Sequence, residues 1–324
     1  MMQPVRIAGR GLLTPLGVGT DPLSASLGNS TRTTGRIPEF RLADFIGSVK
    51  TYIDRTSALT LAACSLALKE AGWEERTTVP EVGLALGTQW GCMDSLKLFY
   101  DKARSAGPRL APPIIFPHAY ANAPVSLASI EFDLRGASLC VSSGLVSGAL
   151  ALAAALDALR LGHASRMLAG GVDSLSTVIC EQSPEAFSEA AAIVAVELGS
   201  NVASGRGTII EWAAARDTDP AQAACQALEA CLNSAGRSVT HLRSIIVCNN
   251  SLEKCLREFS QKWKDKETFF LPDIVGDLMG AAAIAGVMIG TLGSDSRPAA
   301  VLCADPGGSA VAFLVSAWTG RTRL

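Results

Sequence analysis

Residues 137–173 read ASLCVSSGLVSGALALAAALDALRLGHASRMLAGGVD, and this stretch decides the architecture. Ala137–Ser143 reads as a strand, Ser147–Leu161 as an Ala- and Leu-rich helix, and Met167–Gly171 as a returning strand that ends in paired glycines. Upstream, Val5–Leu13 reads as an opening strand and turn, and Thr56–Ala71 as a small-residue helix stopped by Gly72. Val82–Thr88 is a nearly all-apolar strand, the pattern of one covered on both faces, and a helix follows over Met93–Arg104.

Downstream the order recurs: helix Ala221–Ala235, strand Ser244–Asn249, helix Gly280–Thr291, strands Pro298–Ala304 and Ala310–Ala317. Repetition of the same order predicts an internal duplication, with halves at 1–187 and 188–324 packed as one unit. Strands alternating with helices make this an α/β chain, and helices apolar on nearly all sides belong between sheets. The expected fold is a layered α/β/α/β/α sandwich. Ser174–Glu189 lacks periodicity and reads as a shortened connection, and Gly17-Val18-Gly19 reads as a turn, since the rest of a dinucleotide fingerprint is missing.

Composition narrows the function. The 324 residues are 48% hydrophobic and 18% charged, suited to a large core, and a net charge of -2 with a sequence pI near 6.0 gives no basic stripe for nucleic acid. The nine cysteines, Cys64, Cys92, Cys140, Cys180, Cys225, Cys231, Cys248, Cys255 and Cys303, form no CxxC pair and read as reduced, buried small hydrophobes. Neither a disulfide framework nor a metal site is expected. The opening MMQPVRIAGRGLLTPLG carries no leader pattern, so a cytoplasmic location is expected. The most apolar stretches, Gly144–Leu161 and Gly276–Leu292, contain Asp157, Arg160 and Asp277 and read as buried helices rather than membrane spans.

Several segments, in order, carry a family resemblance running from about Val5 to Trp318. They are Val82–Gly91 (VGLALGTQWG), Phe132–Ser138 (FDLRGAS), Leu168–Asp173 (LAGGVD), Ser188–Leu198 (SEAAAIVAVEL, similar to an EGAG segment and its strand) and Asp305–Ala310 (DPGGSA, similar to a GFGG turn). Together they resemble the β-ketoacyl synthases of the thiolase fold. The resemblance implies a five-layered α/β/α/β/α sandwich made of two duplicated halves.

It also implies where the chemistry should sit, and there the sequence departs. The family's nucleophilic cysteine lies in a Thr-Ala-Cys-Ser-Ser-Gly type segment at a strand-to-helix junction, where the helix N-terminus lowers the thiol pKa and backbone amides hold the oxyanion. The matching run, Ser143-Gly144-Leu145-Val146-Ser147-Gly148, places Leu145 there, and leucine carries no acyl group. The first family histidine, in an HGTGT run, matches Asn249 within Asn249-Asn250-Ser251-Leu252. In the KxxxGHxxGAAG pattern, Pro272 replaces the lysine and Asp277 the second histidine, so an anion stands where a developing enolate needs a donor. The three histidines present, His118, His163 and His241, fall in a loop, at a helix end and before a strand, and rescue nothing.

The resemblance therefore implies a catalytically silent subunit, like the chain length factor of type II polyketide and aryl polyene synthases. Such a subunit pairs with an active ketosynthase and shapes its acyl tunnel while a partner acyl carrier protein presents the phosphopantetheine arm; no cofactor of its own is expected. The strand Ser138-Leu139-Cys140-Val141-Ser142 is the expected dimer strand. Met93, Leu96 and Tyr100, on one helix face at i, i+3 and i+7, are the expected tunnel gate, with core packing as the alternative. Two rivals stand beside this reading. One is a serine acyltransferase or thioesterase using Ser143 or Ser147, although GLVSG is not a GxSxG elbow. The other is a homodimeric acyl-binding scaffold.

Overall fold

Successive residues of a strand face opposite sides of a sheet, and in this chain that alternation sorts the core into layers. The computed structural model describes residues 3–27, 32–73, 81–182, 187–199, 205–250, 266–293 and 295–317. Up to Leu198 the elements are β1 (Val5–Thr14), β2 (Gly17–Val18), α1 (Thr20–Ala25), α2 (Arg55–Ala71), β3 (Val82–Gly87), α3 (Met93–Ala106), α4 (Ala123–Glu131), β4 (Ser138–Val141), α5 (Ser147–Arg160), β5 (Arg166–Asp173), α6 (Thr177–Gln182) and β6 (Ala190–Leu198). They are followed by β7 (Gly207–Arg216), α7 (Pro220–Ser234), β8 (Ser244–Val247), β9 (Glu267–Phe270), α8 (Leu271–Val275), α9 (Ala282–Gly290), β10 (Ala299–Ala304) and β11 (Ser309–Ser316).

On β6, Ala190, Ala192, Val194 and Val196 face the layer that holds α5 and α9, whereas Ala191, Ile193 and Ala195 face α2 and α4. On β10, Ala299, Val301 and Cys303 face α5 and α9, and Ala300, Leu302 and Ala304 pack on α7. The layers are therefore α2 with α4, a sheet, α5 with α9, a sheet, and α7. This is the five-layered thiolase-like sandwich. Every residue of α9 is buried, as a helix covered on all sides must be.

The strands run β4-β3-β5-β6-β1-β7-β11-β10-β8-β9, with β2 as a hairpin on β1. Numbered within its own set of five, each set has the order third, second, fourth, fifth, first, the second set mirrored. In each set the fifth strand (β6, β11) is antiparallel to both neighbours. The sets join where Val5–Ile7 of β1 pairs with Gly207–Ile209 of β7. Because β6 pairs with β5 and β1, it completes the first set. The strand order thus divides the chain between Leu198 and Gly207, after β6, whereas the division at 187/188 falls before it.

Two glycines on β1 set the distance to α2. A Cβ on Gly9 would lie 2.2 Å from the Ala67 carbonyl oxygen, and one on Gly11 would lie 1.9 Å from that of Ala63. Gly11→Ala is expected to lower stability by about 1–3 kcal/mol in urea denaturation, because backbone on both sides must shift; an unchanged midpoint would refute this contact. Helix α2 starts at Asp54, whose Oδ1 accepts the Thr56 N–H at 2.9 Å, and ends at Gly72 with φ 68°. The other oxygen of Asp54 accepts the Ser95 N–H in the first turn of α3 at 3.0 Å.

Candidate functional site

The site lies where β4 hands over to α5. Gly144 takes φ 63°, turning the chain so that Leu145 and Val146 precede the helix. Ser147 fixes the turn: its hydroxyl donates to the Gly144 carbonyl at 2.6 Å and accepts the Ser143 N–H at 2.8 Å. Leu145 is buried, and its side chain belongs to an apolar cluster with Leu175, Ile179 and Met279. Its backbone N–H donates to Asp305 Oδ2 at 2.9 Å, and its carbonyl lies 3.5 Å from the Cys303 thiol. The junction is therefore filled by hydrocarbon, and the amide behind it already has a carboxylate partner.

Asn249 and Asp277 are brought to the same place. Asn249 Oδ1 accepts from the Cys303 thiol at 2.8 Å and from the Ala304 N–H at 3.3 Å. A backbone N–H only donates, so Oδ1 must face Ala304 and the amide nitrogen must point the other way. That nitrogen lies near the Asp277 carboxylate and helps hold its proton affinity down, but it has no partner of hydrogen-bond geometry. Asp277 Oδ1 accepts the Met279 N–H at 2.8 Å. Burial nevertheless pushes the Asp277 carboxyl up to about 6, and the neighbouring Asp173 adds to the rise. Asp173 is itself buried and raised by desolvation, although it accepts from Thr88 Oγ1 and the N–H groups of Gln89, Trp90 and Gly280. Pro272 sits in the short helix α8, buried, and supplies no amine. Ser251, Leu252, Cys255 and Trp318 lie outside the described residues.

Among the described residues, the cysteines, serines and histidines near the junction are placed as follows. Cys248 and Cys303 are buried, and desolvation drives both thiols well above the ordinary value, away from the reactive thiolate. Ser147 is buried and committed to the turn, and Ser143, although exposed, has no hydrogen bond to an imidazole among the described residues. His118 lies in a turn, His163 is exposed just after α5, and His241 bonds Ser238. Among the described residues no group of three or more His, Cys, Asp or Glu is placed to hold a metal, and no helix is long and apolar enough to cross a membrane.

The sequence pattern places Leu145, Asn249 and Asp277, and the structure brings these three together. It misses Asp305 and Cys303, which bond them, and Asp173, whose charge acts on Asp277. One signal for Asp305 is present in the sequence: DPGG carries a carboxylate and a proline where the family turn has Gly and Phe. Of the other expected residues, β4 covers Ser138–Val141 at the free edge of the sheet, with Ser138, Leu139 and Ser142 exposed and Cys140 and Val141 half-buried. On α3, Met93 and Leu96 are half-buried, but Tyr100 is 60% exposed. The face bearing all three is thus a flank of the molecule, and Ser95 supplies the buried contact of α3.

The sequence profile of the β-ketoacyl synthase N-terminal domain matches residues 43–206, half of the chain, and spans this junction. The chain belongs to the β-ketoacyl synthase family. A 3-oxoacyl-(acyl-carrier-protein) synthase 2 of Rhizobium meliloti (strain 1021) is 27% identical over 199 residues, 53% of this chain and 47% of its own. The match thus spans about half the length of that curated relative. Among solved structures, the ishigamide ketosynthase/chain length factor superposes with a TM-score of 0.82 at 20% identity, covering 96% of this chain and 99% of its own. A type II PKS acyl-carrier protein in complex with its ketosynthase bound to the hexaketide gives 0.82 at 18% identity, with 98% and 100% covered. At these identities the likeness carries the ketosynthase fold.

Proposed function

We propose that this chain is a non-catalytic, chain-length-factor-like subunit that pairs with an active ketosynthase in the cytoplasm and bounds the acyl chain growing on a carrier protein. The observation that carries the reading is Leu145: a ketosynthase fold surrounds a junction packed with Leu175, Ile179 and Met279 instead of presenting a thiol. Asp277 and Asn249, engaged with each other's surroundings, offer no imidazole to polarise a thioester. The phosphopantetheine arm in this reading comes from the carrier protein through the partner's site. The free edge of β4 supports pairing, as do the exposed apolar side chains Leu98, Tyr100, Leu110, Ile114, Phe116 and Tyr120, which are more than a lone subunit needs. A serine hydrolase finds no support in the buried, engaged Ser147.

The test is co-expression with an active ketosynthase from the same source, followed by co-purification and an elongation assay with carrier-bound malonyl units. A heterodimer needed for elongation supports the reading; a lone homodimer that cleaves thioesters and loses this on Ser143→Ala sinks it. Within the heterodimer, Met93→Ala/Leu96→Ala is expected to lengthen the products by a few carbons, each methylene accommodated being worth about 0.8 kcal/mol of burial. An unchanged product spectrum in mass spectrometry would remove these two residues from the gate.

A further inference from the structure

We infer that Asp305 is a built-in occupant of the anion position at the head of α5, so that the chain closes its own acyl site as well as lacking the nucleophile. The inference rests on reading Leu145 as the nucleophile position. Asp305 belongs to the turn between β10 and β11, some 160 residues away in sequence, yet its Oδ2 receives the Leu145 N–H at 2.9 Å. Its Oδ1 receives the Gly307 N–H at 2.8 Å. The turn holds the side chain in place, with Asp305 N–H donating to the Ser309 carbonyl and Gly308 N–H to the Asp305 carbonyl, both at 2.8 Å.

Space has been made for this carboxylate. A Cβ on Gly144 would lie 2.0 Å from Oδ2, and Gly144 has φ 63°, so only glycine there admits the contact. Pro306, next to Asp305 in the chain, has no N–H to offer a second oxygen. The 14-residue helix α5 begins two residues beyond Leu145, so its positive end also faces the carboxylate. An amide that already donates to a carboxylate gives nothing to a developing oxyanion, and the fixed charge repels one. Loss of the thiol and occupation of the amide are two separate closures of the same site.

The two are separable by experiment on the full chain alone, so the outcome does not depend on whether a ketosynthase binds. Leu145→Cys and Leu145→Cys/Asp305→Gly are treated with p-nitrophenyl octanoate. The introduced thiolate attacks the ester carbonyl, an S–C bond forms, the C–O bond breaks and p-nitrophenolate leaves. Acylation at position 145 is followed by peptide mapping, which separates it from the native cysteines. The double variant is expected to acylate about 100-fold faster than the single one, the scale of one oxyanion donor. Equal rates would overturn the inference. Should the glycine variant fail to fold, Leu145→Cys/Asp305→Asn removes the charge while its single amide oxygen still accepts from one of the two backbone N–H groups, of position 145 or 307, that the carboxylate holds. Its introduced thiol is expected to react at least about 10-fold faster with iodoacetamide than that of Leu145→Cys, since a neighbouring anion suppresses the thiolate; no difference would equally overturn it.

Discussion

Replacing Leu139 with arginine is expected to weaken the proposed complex with an active ketosynthase at least about 100-fold, a loss of close to 3 kcal/mol. Strand β4 ends the sheet, so one row of its N–H and C=O groups faces outward, as in strands that pair with another chain. Leu139 is 41% exposed in the isolated subunit, so arginine there leaves this fold intact. In an interface centred on β4 the same guanidinium is buried without a partner, which costs several kcal/mol. Titration calorimetry against the ketosynthase reads the affinity, and an unchanged melting temperature of the lone variant shows that the loss is one of assembly. Full affinity in Leu139→Arg would place the interface elsewhere.

The stability difference between Asp277→Asn and the Asp277 protein is expected to shift in favour of asparagine by about 3 kcal/mol as pH rises from about 4 to about 7, on top of a pH-independent offset, and to stay level above that. The folded carboxyl sits at about 6 against an ordinary 3.8. Between these values the folded state holds a proton that the unfolded state has released, so the contribution of Asp277 to stability falls as pH rises through this window. Two pKa units at about 1.4 kcal/mol each give the plateau. Asparagine does not titrate and retains an oxygen for the Met279 N–H. The change in its hydrogen bonding to the Asn250 N–H, which also holds the Asp277 pKa down, is a constant offset and leaves the slope untouched. Urea denaturation of both proteins at pH 5, 6, 7 and 8 measures the difference; one that stays flat would mean that Asp277 does not ionise in this window.

Elements with a single clear period were legible in the sequence. The run from Ala137 to Asp173 shows its strand, helix and strand because β5 and α5 are almost wholly apolar. Strand β7 hides because it buries a charge: Glu211 is paired with Arg160 at 3.0 Å, so the residue that breaks the apolar alternation is satisfied by α5, which no local pattern reveals. Strand β9 has only four residues and borrows its stability from β8. Leu145, Asn249 and Asp277 were legible because each falls within a motif of fixed spacing. Leu145 meets Cys303 and Asp305 from the opposite set of strands, and Asn249 meets Cys303 across the neighbouring strands β8 and β10; both pairings depend on tertiary docking rather than on any local pattern.

Asp54 holds the first turns of α2 and α3 with its two oxygens, and α2 is fixed against β1 by the glycines beneath it. The 14-residue α3, about 21 Å long, is thereby anchored at its first turn, and farther along Phe99 rests on Phe116 with ring centroids 5.3 Å apart. Met93 stands beside the anchored turn, whereas Tyr100 stands exposed on the same face, where a bound partner would meet it. In the proposed gate, two residues on one helix face would thus stand on different footings, one set by the fold itself and the other by whatever binds against it.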